Sequence, residues 1–268
     1  MSHMHEVANE GLKQQVHDFW NGRPCGTQFT DLEWGSREFF DSVERERYAR
    51  QPFMREAVGF DRYRGKKLLE IGCGLGTDLL QFARGGALTT GVDLTEQSIE
   101  LARKRFGMYG VPGEFQVADA ERLPFPDGHF DVVYSFGVLH HTPDTPRTIR
   151  EVHRVLKPGG EIVIMLYHSR STHLWLGYPL AMLSRLRKGQ GLLSFGGYFR
   201  VYDGEQNPLG KAYNRPQFRA MFKDFSGITL ASFDPHRPRL PRWLDAGLTS
   251  LGRKFGFWML IRGSKPAR

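Results

Sequence analysis

The sequence predicts an α/β fold built on a doubly wound, mostly parallel sheet. Three observations predict it. From Lys66 onward, short apolar runs alternate with amphipathic helical stretches, the pattern of βαβ units with right-handed crossovers. The first run ends in Glu70 and then in Gly72-Cys73-Gly74-Leu75-Gly76, a strand turning tightly into a helix with backbone bare enough to approach a ligand. A second run ends in Asp93, 23 residues beyond Glu70, where nucleotide-binding sheets place an acid for a ribose.

Each element follows from its own signals. Strands are expected over 67–71, 88–92, 114–118, 130–135 and 161–166, with late runs at 228–233 and 255–261 closing the sheet. Helices are expected over 77–84, 95–106 and 146–156. The last is punctuated by Thr145 as cap, Pro146 in its first turn and Lys157-Pro158-Gly159-Gly160 as stop, with Ile149, Val152, Val155 and Leu156 as its buried stripe. Ahead of the sheet, residues 1–60 form a helical extension. A short helix over 11–19 breaks at Asn21-Gly22-Arg23-Pro24, and a charge-rich helix over 37–50 carries the stripe Phe39, Phe40, Val43 and Tyr48. Trp20 and Tyr48 are candidates to cover a ligand as part of an N-terminal lid, or simply to pack a helix. Residues 61–268 form the main domain, with an insertion at about 168–214.

The insertion mixes Trp175, Tyr178, Phe195, Tyr198, Phe199 and Tyr202 with glycines. It includes an expected apolar helix over 173–187 ending in Arg185, Arg187 and Lys188, and precedes a helix over 215–224. A second excursion, 234–254, is rich in proline and arginine and holds a basic cluster at 237–242. Segments this long inside a compact domain are lids, binding elements or small helices.

A chain of 268 residues, 40% hydrophobic and 25% charged, fits one large globular domain with elaborations. No apolar run reaches the roughly 18 residues of a membrane span, and the N-terminus lacks a signal-peptide core. Met1-Ser-His-Met4 reads as a cloning remnant, with the natural start expected at Met4. The two cysteines, Cys25 and Cys73, make a poor disulfide framework, and no Cys/His spacing suits a metal. A cytoplasmic location is expected. Charge is uneven: residues 169–268 hold 17 basic and 5 acidic side chains, whereas residues 1–168 hold 20 and 24. The basic third suits an anionic substrate, a membrane surface or nucleic acid, or is a solvated surface that keeps the protein soluble. No nucleic-acid module accompanies it, so no specific nucleic acid is expected.

The chemistry gathers at the carboxyl ends of the first four strands, where open α/β sheets bind ligands. Asp93 can accept both hydroxyls of a ribose. Asp119, after the third strand, can accept from an exocyclic amine while the next backbone N–H donates to a ring nitrogen. The carbonyls of Tyr134-Ser135-Phe136-Gly137 can hold an ammonium group. Together these describe a pocket for an adenosine bearing an amino-acid tail. A dinucleotide is the competing reading, but its fingerprint wants a glycine where Thr77 stands. Glu70 also opposes a pyrophosphate and suits a cationic amine and sulfonium.

Four ordered stretches carry a family resemblance: LLEIGCGLGTD at 68–78, GVDLT at 91–95, VADAERLPFPDGHFDVVYSFGVLHH at 117–141 and VLKPGGEIVIM at 155–165. They resemble the class I S-adenosylmethionine-dependent methyltransferases, most closely the methyltransferase type 11 group that includes the ubiquinone/menaquinone C-methyltransferases. The resemblance covers about 66–166, with weaker agreement over 215–263. It implies a Rossmann-like, seven-stranded sheet whose last strand is antiparallel. It also implies S-adenosylmethionine as cofactor and S-adenosylhomocysteine as product, with the methionine part over 72–76, the ribose on Asp93 and the adenine near Leu94, Asp119 and Ala120. The candidate cofactor set is Glu70, Gly72, Cys73, Gly74, Gly76, Asp93, Leu94, Gln97, Asp119, Ala120 and Ser135. Cys73 reads as a small filler rather than a nucleophile.

The implied reaction is an in-line displacement at the methyl carbon, for which the protein aligns the reactants, excludes water and, for some acceptors, removes a proton. His140, His141 and His168 are the candidate bases, although the Leu-His-His tail resembles a feature shared across acceptors and can equally shape the cofactor pocket; Tyr167 is comparably placed. The expected acceptor is an apolar, aromatic or lipid-like small molecule. The Asn/Asp-Pro-Pro-aromatic motif of amino-methylating enzymes is absent, since Ser135-Phe136-Gly137-Val138 stands after the fourth strand. Alternatives are a peripheral-membrane methyltransferase of a lipid-linked acceptor, a non-catalytic cofactor-binding protein and, last, an NAD(P) oxidoreductase.

Overall fold

A computed structural model describes residues 2–204, 206–234 and 254–267. The basic cluster at 237–242 and most of the excursion 234–254 lie outside the described residues. Seven strands form one sheet: β1 Lys67–Ile71, β2 Leu88–Asp93, β3 Glu114–Val117, β4 Phe130–Phe136, β5 Leu156–Tyr167, β6 Ser226–Phe233 and β7 Trp258–Ser264. Their order is β3-β2-β1-β4-β5-β7-β6. The first five run parallel, and β7 is antiparallel to both β5 and β6. The predicted architecture, with its antiparallel last strand, is the one observed.

Alternate residues of a strand face opposite sides, and here both sides are buried. Leu68, Val132 and Tyr134 pack with Phe60, Leu79, Phe82 and Ile99 on one face. Leu69, Ile71 and Val133 pack with Ile149, Val152 and Phe218 on the other. Helices α3 Met54–Val58, α4 Thr77–Arg84, α5 Glu96–Tyr109, α6 Thr145–Val155 and α9 Arg215–Met221 accompany the sheet, while α1 Ser2–Gly22 and α2 Arg37–Arg50 precede it. Strand order reverses between β1 and β4, which opens a crevice at their carboxyl ends.

Several boundaries differ from expectation. Helix α1 spans 21 residues, well beyond the expected 11–19. Asp144, not Thr145, caps α6, its carboxylate accepting from the Arg147 N–H. Thr145 is occupied otherwise: its hydroxyl donates to the Leu139 carbonyl and accepts from the Tyr213 hydroxyl. Strand β5 starts at Leu156, because the expected stop Lys157–Gly160 is extended and Leu156 already pairs with Phe130. The single helix expected over 173–187 is a π turn, His173–Gly177, running into α7 Tyr178–Arg187. Pro179 stands at that junction and has no N–H to continue the α ladder. Helix α8, Phe195–Tyr202, completes the insertion.

Candidate functional site

Strand β1 delivers the chain into a loop that only glycine tolerates. Gly72 and Gly74 have φ of 72° and 51°, and a Cβ on Gly72 would come within 2.3 Å of Val138. The Gly72 and Cys73 N–H groups donate to the Val92 carbonyl at 2.7 and 3.0 Å. The Gly74 N–H donates to Asp93 Oδ2 at 3.0 Å. Asp93 Oδ1 accepts from the Thr95 N–H and hydroxyl at 3.1 and 2.8 Å. Asp93 thus ties the glycine loop to the end of β2. Burial raises its carboxyl above the usual range, against these hydrogen bonds.

The loop forms part of a cleft of about 710 Å³ at the carboxyl ends of the strands. Glu70, Gly72, Cys73, Gly74, Asp93, Leu94, Asp119 and Ala120 line it, as does His141. Five other sequence candidates do not. Gly76 turns the chain into α4 against Phe106 and Ala102. Gln97 uses its backbone N–H on Asn21 Oδ1. Ser135 is buried and donates to the Ile71 carbonyl at 2.9 Å. His168 follows Tyr167 on β5 and faces the opposite side, its Nδ1 3.1 Å from the Gly256 carbonyl oxygen. His140 is fully buried behind the wall, its ring 4.0 Å from that of Tyr167. Burial, with His141 and Lys211 nearby, holds His140 well below the usual histidine range.

Charged groups that sequence reasoning passed over build much of the cleft. Asp78 is 2% exposed and receives hydrogen bonds from Arg47, Tyr48 and Tyr134. Burial alone would raise its carboxyl, but the Arg47 guanidinium and the hydrogen bonds hold it below the usual range. Glu70, 4% exposed, has weaker support, the Arg47 charge and the Leu79 backbone N–H, and its Oε2 has no hydrogen-bond partner among the described residues. Burial and then Asp78 push its carboxyl well above the usual range. A buried carboxylate with one oxygen unpartnered, beside open backbone at Gly74, is what a ligand's ammonium group would complete. Arg47 also lies 4.9 Å over the Phe136 ring.

Helix α1 closes the cleft along one side. Lys13 Nζ lies 2.6 Å from Asp119 Oδ2 and 3.3 Å from Glu121 Oε2, so the acid assigned to an adenine amine is held by a lysine in this state. His17 Nε2 lies 2.8 Å from Glu96 Oε2. Trp20 lines the cleft and meets the His141 ring edge-on at 5.5 Å. Tyr48 does not line it but supports Asp78.

The remaining wall is largely aromatic: Phe29, Phe136, Tyr167, Tyr202 and Trp258, with Met165. Set into it are His141 and Asp203. His141 Nε2 lies 3.3 Å from Asp203 Oδ2, His141 Nδ1 is bonded to the Leu209 carbonyl, and the Tyr167 hydroxyl donates to Asp203 Oδ1 at 2.8 Å. Asp203 sits in the aperiodic end of the insertion, where no sequence signal marks it. Arg47 was findable, since it continues the helical stripe of Phe40 and Val43 at the spacing of a buried face.

Residues 69–164 match the family model described as a methyltransferase domain. The chain is 40% identical over 103 residues to 27-O-demethylrifamycin SV methyltransferase of Amycolatopsis mediterranei, a match covering 37% of this chain and 38% of that protein. It is 39% identical over 122 residues to a fatty-acid O-methyltransferase of Mycolicibacterium smegmatis, covering 45% and 43%. The matches thus span less than half the length of these relatives. Among solved structures, the cyclase SpnF superposes with a TM-score of 0.59 at 19% identity, covering 96% of this chain and 97% of that one, a likeness of fold. Residues 69–164 thus resemble the methyltransferase domain of the class I S-adenosylmethionine-dependent methyltransferases, and the sheet order around them is that of their Rossmann-like fold.

Proposed function

We propose that the protein transfers a methyl group from S-adenosylmethionine to a hydroxyl of an apolar or lipid-like small molecule. One observation carries the reading: a single cleft runs from a glycine loop flanked by Glu70, Asp93 and Asp119 to an aromatic chamber holding His141 and Asp203. When bound, the cofactor supplies a methyl group already activated on a sulfonium. Glu70 and the Gly72–Gly74 backbone bind its amino-acid tail, Asp93 its ribose and Asp119 its adenine, the last after Lys13 moves aside. The aromatic wall binds the acceptor and excludes water, and His141, oriented by Asp203, takes the hydroxyl proton. Helix α1 serves as the lid. One relative named above is called a fatty-acid O-methyltransferase and the other is named for a 27-O-demethyl substrate, which supports an oxygen acceptor.

The test is titration of S-adenosylhomocysteine and NAD⁺ separately by calorimetry, followed by labelled S-adenosylmethionine with a panel of fatty acids, sterols and phenols. Saturable S-adenosylhomocysteine binding and label transfer to a panel member are expected. Binding of NAD⁺ alone would overturn the donor assignment, and transfer only to polar amines would overturn the acceptor class.

A second reading has its own observation. Around α7, Trp175, Leu176, Leu180, Leu183 and Leu186 are 46–67% exposed, and Arg185 and Arg187 lie in the last turn. An exposed apolar face ending in cations suits an anionic membrane surface, from which a lipid-like acceptor would be drawn. No helix among the described residues is long and apolar enough to cross a membrane.

A further inference from the structure

His140, His141 and Asp203 meet at the cleft wall although Asp203 lies far along the chain from the two histidines. One potential ligand atom of each lies within 4.8 Å of the others. Their hydrogen bonding leaves a set of electron pairs facing one another. The Leu209 carbonyl can only accept, so His141 Nδ1 carries the proton and directs Nε2 toward Asp203 Oδ2, 3.3 Å away. Asp203 Oδ1 is already engaged by the Tyr167 hydroxyl at 2.8 Å. Asp203 Oδ2 and both ring nitrogens of His140 are buried and have no hydrogen-bond partner among the described residues. Buried polar atoms are nearly always paired, and three orphans here share one locus. A proton on His141 Nε2 would satisfy Asp203 and leave His140 stranded. A cation satisfies all three side chains.

We propose that His140, His141 and Asp203 form a binding site for a divalent transition-metal ion of the Zn²⁺, Co²⁺ or Fe²⁺ class. Two imidazoles and one carboxylate are the donor set such borderline ions prefer. Ligands about 2.0–2.2 Å from one ion stand about 3–4 Å apart, so the trio needs to contract by about an ångström. The supporting contacts are those a metal site requires. A ligating histidine donates its other N–H to a carbonyl, and a ligating carboxylate is itself hydrogen-bonded; Leu209 and Tyr167 fill these roles. His141, Asp203 and Tyr167 line the cleft while His140 approaches from behind. The ion's open positions therefore face the acceptor chamber, where they would take a hydroxyl or carboxylate oxygen. The ion site rests on these three side chains and holds whether or not the cleft takes a methyl donor. With an ion bound, His141 Nε2 is a ligand, and the base role proposed for it above belongs to the ion-free protein, the ion itself lowering the pKa of a bound hydroxyl.

The test is Co²⁺ titration of the full chain after chelator treatment, followed by visible absorption and displacement by Zn²⁺. A saturable ligand-field spectrum with one ion per chain is expected. Asp203→Asn is expected to weaken Co²⁺ affinity about tenfold or more, with circular dichroism confirming the fold; His141→Gln serves if Asp203→Asn does not fold. Absence of a Co²⁺ spectrum at millimolar ion, or unchanged affinity in the folded variants, would overturn the proposal. So would a nitrogen-detected spectrum showing His141 protonated on both ring nitrogens in excess Zn²⁺.

Discussion

Arg47 and Asp78 form a forked ion pair, Nε to Oδ1 at 2.7 Å and Nη2 to Oδ2, joining α2 to the first turn of α4 at the cleft. The pair fastens the N-terminal extension to the glycine-loop helix. Removing one partner of a buried pair strands the other, at a cost of about 3 kcal/mol. Arg47→Gln is therefore expected to lower the free energy of unfolding by about that amount at pH 7, read by urea denaturation. A loss under about 1 kcal/mol would place the pair with exposed ones. The sign with pH follows from the lowered Asp78 carboxyl. Its contribution is fully present above the unfolded value of about 4 and is lost as pH falls through the lower folded value. The difference between wild type and Arg47→Gln should thus shrink in acid.

Glu70 has the opposite sign. Its folded carboxyl sits well above the usual range, through burial and then Asp78, so the folded state holds a proton that the unfolded state has released. Stability falls as pH rises from about 4 toward the folded value. Glu70→Gln removes this penalty and is expected to stabilise the unliganded protein by about 1 kcal/mol. The same change is expected to weaken S-adenosylhomocysteine binding about tenfold or more, the worth of a charge-assisted hydrogen bond. Thermal denaturation and calorimetry read the two effects separately. A variant that is both less stable and equally tight would contradict both roles.

The features legible in the sequence are those that act over short range. The glycine loop, the acids at strand ends and the alternation of strands and helices each announce themselves within a few residues, because backbone conformation and period dictate them. Arg47 was findable from its place on the stripe of Phe40 and Val43 but passed over for its type, since a charge on a helix ordinarily faces water; this one finds a buried acid. Lys13 and Asp203 were hidden by distance. Their partners, Asp119 and His141, are brought to them only by the packing of α1 and of the insertion. Pro179 was readable as a breaker and was absorbed into an overlong helix because the apolar run continued through it.

Helix α1 is expected to loosen from the cleft with rising pH. Asp18 first, and then Glu96, hold the His17 imidazole above the usual histidine range, and the Glu96 contact ties α1 to α5. A raised folded value means the contribution is complete below about pH 6.5 and is lost as pH rises through the folded value. Hydrogen exchange over residues 13–22, corrected for intrinsic rates, should be slower at pH 6 than at pH 8. His17→Gln should remove the difference, and a difference that persists in that variant would assign it elsewhere.

If His141 takes the acceptor's proton, its loss should act on turnover and spare the donor. His141→Gln is expected to reduce kcat by about 10²–10⁴-fold with S-adenosylhomocysteine affinity unchanged. A fall in donor affinity with kcat retained would make His141 part of the cofactor pocket instead.

Membrane contact makes a prediction that bulk charge does not. Leu180 and Leu183 are 67% and 46% exposed, and burying each leucine in an interface is worth about 1.5–3 kcal/mol. Anionic vesicles should carry the protein upward in a flotation gradient, and Leu180→Asp with Leu183→Asp should abolish this while leaving S-adenosylhomocysteine binding intact. Two causes of flotation separate with salt. Binding through the basic third alone would vanish at high ionic strength and ignore the leucine changes. Binding through α7 would survive moderate salt in the wild type and disappear in the double variant. Failure to float at low salt would remove the membrane reading and leave α7 to cover a soluble acceptor.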